Sequence, residues 1–333
     1  MGTVYITQDD SFIGKTDERL SVKANKQKLL DVPLIKVDGI VVCGRATVSP
    51  AVVTELLDRK IPLSFITGTG KYLGRLEPEL TKNIFVRQAQ WQAAGESAAA
   101  LHLVQGFIRG KLKNYRTLLS RNQREYPELT LKSAITQISK AITSLDKTKT
   151  INSLRGLEGA GSAAYFKVFN QLIRAEGFKF RVRHRPATDP VNSLLNFGYT
   201  LLRHDLQSAV NIVGFDPYLG YLHCQHYGRP SLALDVMEEF RPLIVDGTIL
   251  KAINSRILKP DDFVSEPLSE VVYLSPDGRR EFLKLYEQKK QSTFKHPVLG
   301  RKCTYQEAFE IQARLLAKYL MGEIDKYPPL VLY

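Results

Sequence analysis

Near Thr81 the apolar residues of this chain change their spacing, and that change restricts the folds open to it. Before it, short β-branched runs alternate and are cut by turn residues: "TVYIT", "RLSVKA", "LIKVDGIVVCG" and "IPLSFIT" read as strands. Ser49-Pro50 opens one short helix to about Lys60, with Ser at the cap and Pro at the first helical position. "GTGKYLGRL" (68–76) reads as a glycine-punctuated turn and hairpin, and no G-K-[ST] follows to make it a phosphate loop. After Thr81 the apolar residues recur every three or four positions. One long helix is expected over residues 83–119 and a second over 129–145. A third opens at "GLEGAGSAAYF" and a fourth starts at Asp189-Pro190. A fifth, "SLALDVMEEFRPLIVD", starts at a Ser cap, and Ser275-Pro276 and the capping box Thr304…Glu307 open two more. The expected fold class is α+β with two domains. A small β-rich N-terminal domain spans 1–85 and a larger all-α C-terminal domain spans 86–333.

With 333 residues, 44% of them hydrophobic, the chain can bury a real core. No apolar run nears the ~20 residues of a spanning helix, so no membrane role is expected. "MGTVYITQDDSF" lacks a charged-then-apolar leader pattern. Cys43, Cys224 and Cys303 are widely spaced and odd in number, which argues against a disulfide framework or a CxxC zinc site. The expected compartment is the reducing cytoplasm.

The net charge of +13 is concentrated. Residues 1–85 carry 12 Lys+Arg against 10 Asp+Glu, whereas residues 101–185 carry 17 against 5. Such a block is the footprint of a polyanion partner, most often nucleic acid. It includes "RGKLKNYRTLLSRNQR" and "KFRVRHR". In an extended conformation Lys179, Arg181, Arg183 and Arg185 all face one side. The plain alternative for that run is a charge-protected edge strand.

Glu158 is a single carboxylate among small residues, in "GLEGAGSAAYF". His223 lies in a Gly/Tyr-rich turn just before the fifth helix, on which Asp235 and Glu238 share a face. Carboxylates on a mostly apolar helix need a partner, and a divalent cation is one. Two carboxylates and an imidazole suit Mg²⁺ or Mn²⁺, with zinc a weaker fit. Three protein ligands leave positions for water and a phosphate oxygen. Taken singly these residues have plainer readings: Glu158 paired with Arg155, His223 structural, "DVMEE" a solvated helix edge. Spacing alone does not bring 158, 223 and 238 together.

Together, "GLEGAGSAAYF", "DPVNSLLNFGYTLL" and "GYLHCQHYGRPSLALDVMEEFRPLIVD" resemble the signature of the CRISPR-associated spacer-acquisition integrase, its catalytic subunit. A β-rich domain followed by a helical one is also that family's plan. The resemblance implies a metal-dependent DNA integrase and endonuclease. The 3′-hydroxyl of a short DNA fragment attacks a phosphodiester at the edge of a repeat in the CRISPR array. It puts the catalytic metal ligands on Glu158, His223 and Glu238, holding Mg²⁺ or Mn²⁺, with Asp235 as a neighbour for a second ion or a metal-bound water. Tyr165, seven residues after Glu158, is a candidate substrate contact, with Asn192, Tyr199 and Arg155 beside it. Lys179, Arg181, Arg183 and Arg185 are candidates for the DNA backbone. Gly156, Gly159, Ala160 and Gly161 would clear room around Glu158. The implied partners are double-stranded DNA (spacer precursor and repeat array), a second copy joined through the N-terminal domain, and a small second CRISPR acquisition protein. Two other readings stay open on residues alone: a non-catalytic nucleic-acid scaffold, and a generic metal nuclease on branched DNA or RNA.

Overall fold

The alternating segments pair as strands in the computed structural model, which describes residues 2–79, 81, 83–224 and 226–333. Strands β1 (Gly2–Ile6), β5 (Val37–Cys43), β7 (Leu63–Ile66) and β8 (Tyr72–Leu76) form one four-stranded sheet in that order. β1, β5 and β7 run parallel and β8 returns antiparallel to β7. A second sheet has the order β4 (Gln27–Pro33), β3 (Arg19–Ala24), β2 (Ser11–Thr16) and β6 (Ala46–Val48). Helix α1 (Pro50–Asp58) begins as its sequence predicts, with Ser49 as the cap and Pro50 inside. Ile13, Leu20, Val42, Leu56 and Leu63 are among the residues of one continuous core beneath these elements. This unit comprises Met1–Leu80 together with Leu274–Glu287. Within it, Glu287 Oε1 accepts a hydrogen bond from the Thr3 backbone N–H at 2.9 Å.

The second unit, Thr81–Tyr273 with Gln288–Tyr333, is mainly helical. Its helices include α2 (Ile84–Gly95), α3 (Ser97–Glu125), α4 (Lys132–Ser144), α5 (Ile151–Phe169), α6 (Pro190–Val213), α7 (Ser231–Phe240) and α8 (Gly247–Asn254). Next in the chain come a hairpin of β9 (Phe263–Ser265) and β10 (Val272–Leu274), helix α9 (Pro276–Gln291), which through Glu287 belongs to the first unit, a hairpin of β11 (Thr293–Lys295) and β12 (Lys302–Thr304), and α10 (Tyr305–Leu320). The architecture is therefore a β-rich N-terminal region followed by a mostly helical part. The capping box forms as expected, with Thr304 N–H bonded to Glu307 Oε2 and Glu307 N–H to Thr304 Oγ1.

Three helices depart from expectation. The single long helix over 83–119 is two, because Glu96 is extended between α2 and α3. Gly95 weakens the helix just before that break. Helix α5 starts well before Glu158, at a Thr150 cap. The fifth helix is capped not by Ser231, which is already helical, but follows Pro230. It then widens into a π-helical stretch, Arg241–Asp246, where Pro242 has no N–H to give.

Candidate active site

Helix α3 sets the floor of the site through an unexpected residue. Leu103, Phe107, Lys111, Tyr115 and Leu119 recur every four positions and all are buried. Lys111 is thus a lysine in an apolar stripe, and its ammonium needs counter-charge. Glu158 Oε1, from α5, and Glu238 Oε2, from α7, both pair with Lys111 Nζ, the latter at 2.6 Å. Burial pulls the Lys111 ammonium down, but the Glu238 and Glu158 carboxylates outweigh it and hold it above its ordinary value.

Glu238 is 2% exposed. Its Oε1 lies 3.1 Å from Arg241 Nε and 3.7 Å from His223 Nε2. Burial alone would raise its pKa, but Arg241, Lys111 and His223 hold it at about 2. Glu238 Oε2 is buried and, apart from its ion pair with Lys111, makes no hydrogen bond. Glu158 does not pair with Arg155; besides Lys111 its partner is Ser162 Oγ at 2.7 Å.

Asp235 fixes the turn that carries His223. Its Oδ2 accepts from the Tyr221 and Leu222 N–H groups at 2.6 and 2.9 Å. Its Oδ1 accepts from the His223 N–H at 2.9 Å and faces His223 Nδ1 at 2.6 Å. That fills all four lone-pair sites of a carboxylate. Asp235 as it stands has nothing left for an ion, so the expectation that it binds one is replaced by a positioning role. The Nδ1 contact with Asp235 turns the opposite nitrogen, Nε2, toward Glu238, the orientation common to metal-ligating histidines. Arg155 holds the same turn from the other side, its Nε donating to Leu222 O at 2.8 Å.

Glu158 and Glu238 thus converge on one cation, and His223 stands beside Glu238. Among the described residues no three His, Cys, Asp or Glu side chains are gathered tightly enough to hold a metal as they stand, and the cation between the carboxylates is Lys111. The donor set nevertheless fits a hard divalent ion: two carboxylates already aimed at positive charge, and one free imidazole nitrogen.

A cleft of about 730 Å³ opens onto Lys111 and Glu158. Lys111, Lys167, Arg181, Arg183, Arg185 and Arg241 contribute cations to its wall, against the single carboxylate of Glu158. Lys179 is exposed but does not line it. "KFRVRHR" is irregular rather than a strand. Phe178 and Phe180 are buried in alternation with Lys179 and Arg181, but Val182 is 62% exposed and breaks the pattern. The cause is Asn192, buried in the first turn of α6. Its Oδ1 accepts from Arg183 at 2.8 Å, and its Nδ2 donates to Val182 O at 2.9 Å. Asn192 therefore orders the arginine segment and does not face the cleft itself.

Tyr165 is fully buried, which corrects its placement as a substrate contact. Its ring stacks on Tyr115 with centroids 3.7 Å apart, and its hydroxyl donates to Asp246 Oδ2 at 2.9 Å. Tyr199 donates to Asp246 Oδ1 at 2.6 Å, and Arg241 lies 4.6 Å over the Tyr199 ring. Burial lifts the Asp246 carboxyl to about 6, against the pull of the two tyrosine hydroxyls. Of the glycines near Glu158, Gly156 and Gly159 border open space, and only Gly161 meets a neighbour closely, Leu112 of α3.

The family model described as "CRISPR associated protein Cas1" matches residues 4–288. The chain belongs to the Cas1 family. Among Cas1 relatives, a protein of Thermus thermophilus named "CRISPR-associated endonuclease Cas1 3" is 36% identical over 332 residues, covering 99% of this chain and 97% of the relative. A solved structure titled "Casposase bound to integration product" has the same fold, with TM-score 0.87 at 23% identity over 100% of this chain and 95% of that one. A second, "Cas6-RT-Cas1--Cas2 complex", matches with TM-score 0.81 at 24% identity, over 98% of this chain and 36% of that chain. No helix among the described residues is long and apolar enough to cross a membrane.

Proposed function

We propose that this Cas1-family chain inserts short DNA fragments into a CRISPR array by metal-dependent transesterification, and cuts DNA when water replaces the attacking hydroxyl. The observation that carries this is the convergence of Glu158 and Glu238 on one cation, with the free nitrogen of His223 beside them and a six-cation cleft in front. Glu158, His223 and Glu238 would hold Mg²⁺ or Mn²⁺ in the place the Lys111 ammonium takes. When bound, the ion supplies stabilisation of the charge developing on the phosphoryl oxygens.

The chain's own residues do the rest. Arg181, Arg183, Arg185 and Lys167 bind the phosphates and orient the backbone without reading sequence. Asp235 keeps His223 Nε2 turned toward Glu238. Arg241, fixed by Glu238 and the Tyr199 ring, keeps positive charge beside the reacting phosphate. The nucleophile is the 3′-hydroxyl of the DNA fragment, so no protein nucleophile is required.

The chain would act in the cytoplasm as a homodimer joined through its N-terminal unit, beside a small second acquisition protein. The complex named for Cas1 and Cas2 among the fold neighbours supports that partner. Exposed Phe12, Ile35 and Leu73 support a protein contact on the N-terminal unit. Glu158→Ala tests the reading. Fragment joining into supercoiled plasmid is expected to fall at least ~100-fold while DNA binding survives. Joining at the wild-type rate would leave only the scaffold reading.

A further inference from the structure

The Lys111 ammonium serves its two carboxylates unevenly. Glu158 Oε1 accepts a hydrogen bond from it. Glu238 Oε2, 2.6 Å away and buried, receives no directed hydrogen bond among the described residues. A buried acceptor left in that state is costly. A divalent ion, which attracts equally from every side, would satisfy it better than an N–H donor. We propose that Lys111 is a switch: when DNA enters the cleft, its ammonium leaves Glu158 and Glu238 for a backbone phosphate, so that DNA binding opens the site to a divalent ion. This rests on the metal and DNA readings above and assigns to Lys111 the coupling between them.

The surroundings let Lys111 move and keep the carboxylates in place. Lys111 lines the cleft as well as meeting both carboxylates. A lysine stem is flexible and ends in a point charge with rotatable donors, whereas the planar fork of an arginine would have fixed one geometry. The cleft is already positive: Lys167, Arg181, Arg183 and Arg185 stand around it and would gather DNA phosphates within reach of the ammonium. Neither carboxylate depends on Lys111 alone. Ser162 Oγ donates to Glu158 Oε1 at 2.7 Å, and Arg241 Nε lies 3.1 Å from Glu238 Oε1. Both therefore stay aimed at the same point after the ammonium has gone.

Charge balance gives the coupling its sign. Lys111 and Arg241 together balance Glu158 and Glu238. A divalent ion added to that balanced group would leave two uncompensated positive charges in a buried place, beside an ammonium. A phosphate in the cleft brings negative charge and a new seat for the ammonium. DNA and ion therefore favour one another, and by linkage each raises the affinity for the other by the same factor, typically ~5- to 150-fold. The hydrolytic centre is thus assembled on DNA and stays shut away from it.

Mn²⁺ binding to the full chain is read from the EPR signal of the free ion, with and without an equivalent of short blunt duplex, the duplex alone being subtracted. Wild type is expected to bind Mn²⁺ at least ~10-fold more tightly with the duplex than without it. Lys111→Met should bind Mn²⁺ without DNA as tightly as wild type does with DNA, and the duplex should then add little. Lys111→Gln, which keeps a polar head, repeats the comparison should the apolar variant fold poorly. Reciprocity gives a readout on wild type alone: Mn²⁺ should raise its duplex affinity by the same factor, measured by anisotropy at constant ionic strength. A wild-type Mn²⁺ affinity that the duplex leaves unchanged, or a duplex effect of equal size in wild type and the Lys111 variants, overturns the switch and leaves the metal reading intact. Mn²⁺ binding with the duplex that Glu158→Gln does not weaken sinks the metal reading, and this proposal with it. Absence of any anisotropy change does the same through the DNA reading.

Discussion

Lys111 Nζ lies 2.6 Å from Glu238 Oε2, and the same ammonium pairs with Glu158. A buried cation from α3 therefore stands where the proposed function puts a divalent ion. Removing one member of a buried ionic group leaves the others uncompensated, at a cost of ~3–5 kcal/mol. Lys111→Ala is expected to lower the melting temperature without metal and to regain much of it in Mn²⁺. Wild type should gain far less. Equal Mn²⁺ shifts in the two proteins would show that the ammonium and the ion do not share a place.

Asp235 predicts a loss of a different kind. Its four acceptor contacts shape the His223 turn, and an asparagine amide would set a donor against donors. Outer-shell changes of this sort cost ~10- to 100-fold in metal affinity or activity. Asp235→Asn should raise the Mn²⁺ concentration needed for half-maximal joining, while DNA affinity measured without metal stays at the wild-type value. An unchanged metal requirement would remove the positioning role.

Asp246 gives a pH dependence of definite sign. Burial raises its carboxyl from 3.8 to about 6, so the folded chain keeps a proton that the unfolded chain has lost. Its contribution to stability is greatest below pH ~4, declines as pH rises to about 6, and then stays low, a change of roughly 3 kcal/mol. Asp246→Asn should flatten the pH profile of the melting temperature between ~4 and 6. A profile identical to wild type would mean that Asp246 does not titrate there.

Two glycine substitutions should move stability in opposite directions. A Cβ on Gly159 meets nothing, so Gly159→Ala should stabilise α5 by up to ~1 kcal/mol. A Cβ on Gly110 would lie 2.8 Å from Glu239 Cβ and 3.1 Å from Pro329 Cβ, so Gly110→Ala should cost ~1–3 kcal/mol. Chemical denaturation measures both, and the same sign for the two would refute the close approach of α3 to α7.

The period change near Thr81 made the broad fold legible, because alternation and helical spacing depend on burial that the sequence writes directly. Strands β2, β4 and β6 are not legible, since "DDSFIGKT" and "QKLLDVP" mix charge and turn residues with few β-branched ones, and neither are the three-residue strands β9 to β12, which interrupt a part expected to be all-α. Glu158, His223 and Glu238 stand out in the sequence as a candidate group, but the cation that pairs with both carboxylates does not. Lys111 was counted with the basic block, although its place in the 103–107–111–115–119 stripe marked it as buried. Tyr165 faces α3 as Glu158 does, but about 10 Å further along the helix, where it meets the buried Tyr115 ring instead of the cleft. No local pattern could have shown that Asp246 takes both tyrosine hydroxyls, or that Asn192 bends the arginine segment, since each contact spans elements distant in sequence or irregular in shape.

Glu238 has a neighbour that faces the other way. Glu239 Oε1 accepts from the Tyr327 hydroxyl at 2.7 Å, its Oε2 accepts from the Leu330 N–H at 2.7 Å, and Asn114 of α3 bonds both Leu330 and Leu332. The helix that presents Glu238 is therefore latched from behind by residues 327–332. The bearing of Glu238 is thus set in part by a segment about ninety residues further along the chain that touches no residue of the centre.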